Sequence, residues 1–138
     1  MPGTLIKTGK PRRRRVQSVP ERETTRVGDL KITRVETCVL SIPPKQPTIS
    51  DAQSRVAAVE FVVVRLDTDH GPTGCGFNWN YTKGTRAVKV MIDDVYAPAL
   101  IGQDPARRRE LCQRLLSLTH FIGRFGVARV GVCAIELA

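Results

Sequence analysis

The chain holds few of the residue types that usually carry enzyme chemistry. Its 138 residues include two histidines, His70 and His120. Neither has a serine, cysteine or carboxylate partner at a spacing that indicates a catalytic pair. We therefore interpret both histidines as surface residues. Aromatic residues make up 5% of the sequence, with one Trp and two Tyr, so a local cluster of them is informative.

Paired cysteines are also missing from the sequence. The four cysteines are Cys38, Cys75, Cys112 and Cys133. They form no CxxC motif, which argues against a zinc site or a redox motif. We expect free and mostly buried thiols in a reducing cytoplasm.

Long apolar runs do not occur. No stretch approaches the roughly 18–20 apolar residues that a membrane helix needs, and no apolar h-region follows the first residues. The sequence therefore predicts no membrane association and a cytoplasmic location. An apolar fraction of 41% and a charged fraction of 25% are ordinary for a globular domain, and the length fits a single one.

Positive charge is concentrated in the first residues. The formal net charge is +9, and residues 1–27 contribute +6 of it from eight Lys or Arg and two Glu. We interpret residues 1–29 as a disordered basic extension, since such a segment cannot bury enough apolar surface to fold. It could bind nucleic acid or an acidic surface, or act as a localisation signal. Alternatively, it is a solvated extension, or it results from a start codon assigned too far upstream. Glu21 and Glu23 argue against a transit peptide.

Three strands are predicted after the extension. Residues 30–42 alternate with apolar residues on two faces, and prolines follow. On one face stand Ile32, Cys38, Leu40 and Ile42, and on the other Val35 and Val39. Residues 57–68 form the strongest strand, residues 69–71 a tight turn, and residues 73–78 the returning strand. The long segment 43–56 lacks a core pattern and is predicted to be a loop.

Three helices are predicted to follow, which gives an α+β fold with a three-stranded antiparallel meander. The first covers residues 84–97 and turns Val88, Met91, Ile92 and Val95 to one side. The second begins at Asp104 with Pro105 in the first turn, and is predicted to bury Leu111, Leu115 and Leu118. The third starts at Gly126, with Val127, Val130, Ala134, Leu137 and Ala138 on one face. We expect this last helix to be truncated and its exposed face to favour self-association.

Two local motifs are best explained as structural. Gly74-Cys75-Gly76 after a strand suggests a dinucleotide site, but Trp79 stands where the third glycine of GxGxxG would be. We interpret these glycines as hairpin residues. Arg107-Arg108-Arg109 is interpreted as a solvated helix face.

The segment from Phe77 to Gly84 is the most informative local feature. It places the only Trp and one of the two Tyr in a polar loop between a strand and a helix. Aromatic side chains with polar tips on a loop suit ligand contact. Trp79 could instead pack over the core of the small domain.

Four stretches carry a resemblance to a known family. Residues 32–37 open a strand that Ile-Pro-Pro closes at 42–44, and residues 62–76 form two strands with a tight turn. Residues 96–105 form a connector with the sequence Tyr-Ala-Pro-Ala-Leu-Ile-Gly-Gln-Asp-Pro, and residues 126–138 begin a helix. In this order they resemble the N-terminal capping domain of the enolase superfamily, in its mandelate racemase and muconate lactonizing branch.

The resemblance implies where a substrate would be contacted. In the family, the loop after the third strand and the loop after the first strand close over the mouth of a barrel domain. Tyr81 matches a family loop tyrosine that faces the active site, with Trp79 beside it, and Thr48 and Ser50 are weaker candidates in the loop 43–56. Glu136 departs from the Asp that the family usually has.

The resemblance also implies what this chain does not supply. Family enzymes remove a proton next to a carboxylate, and a Mg²⁺ ion held by barrel carboxylates stabilises the product anion. We therefore expect a capping domain of an acid-sugar dehydratase or racemase, acting on a carboxylate-bearing substrate, which binds no Mg²⁺ and is inactive without its barrel. The alternative is a non-enzymatic module that binds nucleic acid or an acidic partner through its basic tail.

Overall fold

The computed structural model of the protein describes residues 30–45, 52, 56–81 and 83–138. The basic extension, residues 1–29, lies outside the described residues, and so do the candidate site residues Thr48 and Ser50. The predictions made for these positions therefore stay predictions.

Three antiparallel strands form one sheet in the order β1-β2-β3. Strand β1 spans Ile32–Ile42, β2 spans Val59–Thr68, and β3 spans Thr73–Asn80. The β2–β3 turn places Gly71 at φ 100°, a conformation that glycine adopts without steric cost. The predicted meander is confirmed.

A bulge near the start of β1 changes which residues face the core. Ile32 pairs with Thr68 and Arg34 pairs with Asp67, so one residue of β1 is extra between them. The bulge reverses the alternation, and Ile32 is buried on the same side as Val35. The prediction that Ile32 shares a face with Cys38, Leu40 and Ile42 is therefore wrong, because strict alternation does not allow for an inserted residue.

Three helical segments follow the sheet. The first is continuous and consists of α1, a π-helical turn and α2; a 3₁₀ turn leads into α3, and α4 comes last. Their bounds are Thr85–Met91 for α1, Ile92–Tyr96 for the π-helical turn, Ala97–Leu100 for α2, Pro105–Arg107 for the 3₁₀ turn, Arg108–Leu118 for α3 and Val127–Glu136 for α4. Asp104 Oδ1 accepts the Ala106 N–H at 2.8 Å, so the predicted start of the second segment is confirmed.

The core lies between one face of the sheet and the helices. Val62 and Val64 of β2 are fully buried against side chains from every layer. Their partners in the cluster include Val88, Ile92, Tyr96, Leu115, Val132 and Ile135. Burial of each such side chain stabilises the fold by about 1.5–3 kcal/mol.

The buried face of helix α4 overlaps only in part with the face that its apolar spacing predicts. Its buried residues are Ala128, Gly131, Val132, Ala134 and Ile135. Of the predicted face, Ala134 is buried and Val130 and Ala138 are partly buried against the core, whereas Val127 and Leu137 are exposed, so the prediction is correct only in part. The reason is close packing: a Cβ on Gly131 would lie 3.1 Å from Cε2 of Tyr96. The small residues Ala128, Gly131 and Ala134 therefore face the core together with Val132 and Ile135.

The prediction for α3 is correct only in part. Leu115 is fully buried and Leu111 is partly buried, whereas Leu118 is 47% exposed. Leu118 is the last residue of the helix and is followed by the exposed residues 120–127. No other element of the described chain packs over Leu118. The helical spacing of apolar residues therefore predicts burial at a position where α3 is not covered.

Candidate functional site

Two loops leave the same end of the sheet. Ile42, the last residue of β1, pairs with Val59, the first residue of β2. Glu60 pairs with Asn80, the last residue of β3. The segment 43–58 and the loop that starts at Tyr81 therefore begin side by side. This register brings together the starts of the two loops to which the candidate site residues belong.

Trp79 and Tyr81 form an aromatic pair at this end of the sheet. Their ring centroids are 4.7 Å apart and the ring planes meet at 68°, an edge-to-face arrangement. Trp79 is 45% exposed and Tyr81 is 46% exposed. About half of each side chain is therefore accessible to a ligand, and the two rings contact each other.

Backbone and side-chain contacts hold the loop that carries Tyr81. Asn80 Nδ2 donates to Oγ1 of Thr85 at 3.3 Å, and Thr85 is fully buried at the start of α1. Gly84, at φ 125°, lets the chain turn into the helix. The Trp79 N–H donates to Oδ1 of Asn78 at 2.7 Å. The loop is thus fixed at both of its ends.

The sheet face that points away from the helices is divided into two halves. Near the two loops it is apolar, and we call this half the outer apolar patch. The patch consists of Cys38, Leu40, Ile42, Phe61, Val63, Phe77 and Trp79. Toward the β2–β3 turn the same face is charged, and we call that half the charged half. It consists of Arg34, Glu36, Arg65, Asp67, Thr73 and Cys75.

Ion pairs order the charged half. Nε of Arg65 lies 2.9 Å from Oδ1 of Asp67, and Arg34 pairs with Glu36. The hydrogen bond from Arg65 lowers the pKa of the Asp67 carboxyl, and a bond from Thr73 adds to this. In the adjoining turn, the Lys31 N–H lowers the pKa of Asp69. The four charges of this half therefore form two ion pairs and sum to zero.

The exposure of the cysteines differs from the prediction. Cys38 and Cys75 are exposed on the outer face of the sheet, whereas Cys112 and Cys133 are partly buried. Burial raises the pKa of the Cys112 thiol. The prediction of mostly buried thiols is wrong for two of the four, because the outer face has no covering layer in the described chain.

Gly74 and Gly76 have a structural role that the sequence did not reveal. A Cβ on Gly74 would overlap the carbonyl oxygen of Ala138, and a Cβ on Gly76 would overlap that of Ala134. The end of α4 therefore lies directly on the backbone of β3. The glycines are not merely hairpin residues, since they admit the helix.

A polar cluster joins the sheet to the helices and was missed by the sequence reasoning. Lys89 Nζ lies 2.7 Å from Oγ1 of Thr37 and 2.5 Å from a carboxylate oxygen of Asp93, and Thr37 also donates to Asp93. Lys89 and Asp93 are four residues apart, a helical pairing that was visible in the sequence. The contact of Thr37 with this pair depends on the position of β1, which the sequence spacing does not give.

A cavity of about 410 Å³ lies at the opposite end of the sheet from Trp79 and Tyr81. Its walls are mostly apolar and come from Leu66 and Gly74, from α3, and from the end of α4. It contains none of the predicted site residues. His70 and His120 are exposed, as are Arg107, Arg108 and Arg109, in agreement with their interpretation as surface residues.

The described residues do not suit a divalent cation. Within residues 30–45, 56–81 and 83–138, no group of three or more His, Cys, Asp or Glu is placed to hold a metal ion. No helix in the same part of the chain is long and apolar enough to cross a membrane. The chemistry that these residues offer is aromatic contact and hydrogen bonding at the loop end of the sheet.

The fold and the position of the two loops define an enolase-type capping domain. The family model for the mandelate racemase / muconate lactonizing enzyme N-terminal domain matches residues 34–138. The chain belongs to this family, as its sequence resemblance implied.

The relatives that the chain matches include a cycloisomerase, a racemase and an acid-sugar dehydratase. The chain is 27% identical over 107 residues to a 3,6-anhydro-alpha-L-galactonate cycloisomerase from Streptomyces coelicolor, covering 78% of this chain and 30% of that protein. A racemase from Streptomyces coelicolor A3(2) with bound magnesium is 27% identical, with a TM-score of 0.72 over 76% of this chain and 29% of its own.

L-Talarate dehydratase from Polaromonas sp. JS666, complexed with Mg and L-glucarate, is 25% identical. Its TM-score is 0.73 over 79% of this chain and 30% of its own. The chain thus spans about a third of the length of the relatives that it matches.

Proposed function

We propose that this chain is the capping domain of an acid-sugar dehydratase or racemase and helps to select a carboxylate-bearing substrate. A barrel domain that this chain does not contain would carry out the proton abstraction. The Trp79–Tyr81 pair is the observation that supports this role best. The pair is about half exposed, its two rings contact each other, and it lies where two loops leave the sheet together.

The two rings can contribute in different ways. Tyr81 has a hydroxyl that can donate a hydrogen bond to a substrate hydroxyl or carboxylate, while its ring rests against Trp79. The indole offers an apolar face that excludes water from the substrate. A drier site strengthens the electrostatic interactions that favour an anionic intermediate. In a complete enzyme, Mg²⁺ held by the barrel would supply the positive charge, and no described residue of this chain is assigned to that ion.

The first experiment is to read the coding sequence after the codon for Ala138. A reading frame that continues into a barrel with three clustered carboxylates would support the proposal. An unrelated continuation would contradict it, and the chain would then have to be considered as a module of its own.

The second experiment tests the aromatic pair in the complete reading frame. Tyr81→Phe should lower kcat/KM for acid sugars by up to about tenfold, the loss expected for one hydrogen bond. Tyr81→Ala should lower it by about a hundredfold through lost positioning. Val90→Ala, a change at an exposed site of α1, is the control. Deuterium incorporation next to the carboxylate, followed by NMR, measures the proton step itself. Equal rates for all four proteins would exclude a role for Tyr81.

The concentration of charge in residues 1–27 favours a second candidate function. That segment could bind nucleic acid or an acidic partner through counterion release. Binding to a labelled DNA duplex at low salt, lost at higher salt and lost after deletion of residues 7–26, would support it. No binding at low salt would exclude nucleic acid as the partner.

A further inference from the structure

We propose that the loop between α3 and α4 inserts its apolar tip into the surface of an anionic lipid bilayer, an inference that does not rest on the proposed function. The tip consists of Phe121, Ile122 and Phe125, whose side chains are 99%, 70% and 89% exposed. Single apolar side chains on a surface are normal, but a continuous group of large ones marks a site of interaction. Leu118 at 47% and Val127 at 40% extend this group at the two ends of the loop.

The tip projects from the domain. Gly123 at φ 112° and Gly126 at φ 62° adopt backbone conformations that other residues rarely take, and they turn the chain within and after the tip. The ring of Phe121 meets the exposed ring of His120, with centroids 5.1 Å apart, and leaves nearly all of its own surface in solvent. An amphipathic peptide needs a groove, whereas a convex apolar tip fits a soft apolar medium.

The backbone of the loop is hydrogen-bonded within itself. The Thr119 carbonyl accepts the Ile122 N–H at 3.1 Å and the Gly123 N–H at 2.9 Å. The Thr119 side chain is fully buried, and its hydroxyl donates to the Leu116 carbonyl at 3.2 Å. Backbone groups that enter an apolar medium without a partner oppose insertion. Because two N–H groups of the tip already have a partner, the tip enters the lipid interface more easily.

The charges around the tip complement an anionic surface. Residues 111–135 contain no Asp or Glu, and they contain Arg114, Arg124 and Arg129. Among the residues that the structure describes, no ion pair includes any of these three arginines. Each arginine near an anionic membrane raises the partition coefficient about fivefold. Basic residues beside exposed aromatic and aliphatic side chains are typical of segments that lie in the lipid interface.

A lipid surface explains the composition of the loop better than nucleic acid does. Single-stranded nucleic acid stacks its bases on aromatic rings, and aliphatic side chains have no such role. Ile122 stands between the two phenylalanines and is itself largely exposed. A loop that enters only the interface also needs no run of roughly 18–20 apolar residues. The lack of a spanning segment therefore does not bear on this inference.

Vesicle sedimentation tests the tip directly. The probe is a vesicle made of equal parts of phosphatidylglycerol and phosphatidylcholine, mixed with the full chain. Phe121→Ser with Phe125→Ser should lower the partition coefficient at least about a hundredfold, because two rings no longer leave water. The matched control is Leu40→Ser with Phe77→Ser, which removes exposed apolar surface from the outer apolar patch. Equal losses in the two pairs, with unchanged circular dichroism spectra, or no binding of the wild type, would overturn the proposal.

The basic tail is tested separately because it also attracts anionic lipids. Deletion of residues 1–27 removes a net charge of +6 and should weaken binding without abolishing it. Arg124→Gln should lower binding about fivefold on the anionic vesicles and leave binding to pure phosphatidylcholine unchanged. Binding that is lost with the tail and unaffected by the two serine substitutions in the loop would assign the contact to the tail and refute the proposal.

A fluorescent probe in the loop measures insertion. Phe125→Trp in a Trp79→Phe background places the only indole of the chain in the tip. Its emission should shift to the blue when anionic vesicles are added, and lipids with brominated acyl chains should quench it, because an inserted side chain lies about 5–10 Å inside the headgroup boundary. Trp79 of the wild type lies in β3 and should keep its spectrum. Unchanged emission of the loop indole would contradict insertion.

Two other occupants of the loop are outcomes of the same experiments. Binding of labelled single-stranded DNA that the loop substitutions abolish, without binding to vesicles, would assign the loop to nucleic acid. In the complete reading frame, a loop indole that emits in the blue before vesicles are added, together with no vesicle binding, would show that the barrel covers the loop. Either result overturns the proposal. The proposed function is judged separately, by the kinetics of the Tyr81 variants.

Discussion

The backbone of Gly76 in β3 lies directly against the carbonyl oxygen of Ala134 in α4. A Cβ at Gly76 would overlap that oxygen and would also lie 2.5 Å from the Ala138 nitrogen. These obstacles are backbone atoms, which cannot move aside as a flexible side chain can. The contact sets the distance between the sheet and the last helix.

Gly76→Ala should therefore destabilise the domain strongly. We expect a loss of about 3 kcal/mol in the free energy of unfolding, since overpacking a rigid contact costs about that much. The measurement is urea unfolding followed by circular dichroism. Gly102→Ala is the control, because its Cβ would enter open space and only the positive φ of 77° is strained. Equal losses in the two variants would show that α4 does not rest on β3.

Tyr96 should make the domain sensitive to high pH. Its side chain is fully buried, its hydroxyl donates to the Ala128 carbonyl at 3.1 Å, and burial raises its pKa. A raised pKa means that the neutral phenol contributes stability below the pKa of the unfolded chain, about 10. This contribution is lost as the pH rises through the folded pKa.

The test uses Tyr81→Phe as the background, because it leaves Tyr96 as the only tyrosine. Adding Tyr96→Phe should cost about 0.5–1.5 kcal/mol at neutral pH, the value of one hydrogen bond. It should also flatten the fall in unfolding free energy above a pH of about 10. Identical slopes with and without Tyr96 would contradict a buried phenol.

Thr85 should control the environment of Trp79. Thr85→Val keeps the shape of the buried side chain but removes the oxygen that accepts from Asn80. We expect the emission of Trp79, the only Trp, to shift to the red and to become more accessible to iodide. Thr73→Val is the matched control, since its hydroxyl donates to Asp67 at the other end of the sheet. If both variants leave the Trp79 spectrum unchanged, the Asn80–Thr85 bond does not hold the loop.

Two leucines of α3 should respond very differently to truncation. Leu115→Ala should cost about 2–5 kcal/mol, because it opens a cavity beneath a residue that is only 1% exposed. Leu118→Ala should change stability by no more than about 0.5 kcal/mol, as expected at an exposed site. Thermal unfolding of the two variants side by side measures the difference. Comparable losses of stability in the two variants would mean that Leu118 is buried as Leu115 is, as the helical spacing predicts.

Local patterns predicted the elements well because their causes are local. Asp104 and Pro105 start a helical segment through a cap and a fixed φ, and Gly71 permits the turn between β2 and β3. These effects depend on neighbouring residues alone. The family followed from the order of such elements and the residues within them.

The buried faces were predicted less well because they depend on partners distant in the sequence. The bulge between Ile32 and Arg34 reverses β1, and only pairing with β2 reveals it. Gly131 and Ala134 face the core because the helix lies close to its neighbours, a distance that no periodicity contains. At the candidate site, sequence reasoning named Trp79 and Tyr81, whereas the Thr85 hydroxyl that steadies their loop required the folded chain.

The two loops at one end of the sheet have a consequence for how such a domain can diversify. The core lies on the side of the sheet that faces the helices. Gly76 contacts α4 within β3, away from the strand ends at which the loops begin. Exposed residues such as Lys45 and Tyr81 can therefore be exchanged by mutation at little cost to folding, whereas Val56 is buried. If Tyr81 contacts a substrate as proposed, selection on that contact and selection on stability act on separate positions, and the substrate contact can change without a change in the scaffold.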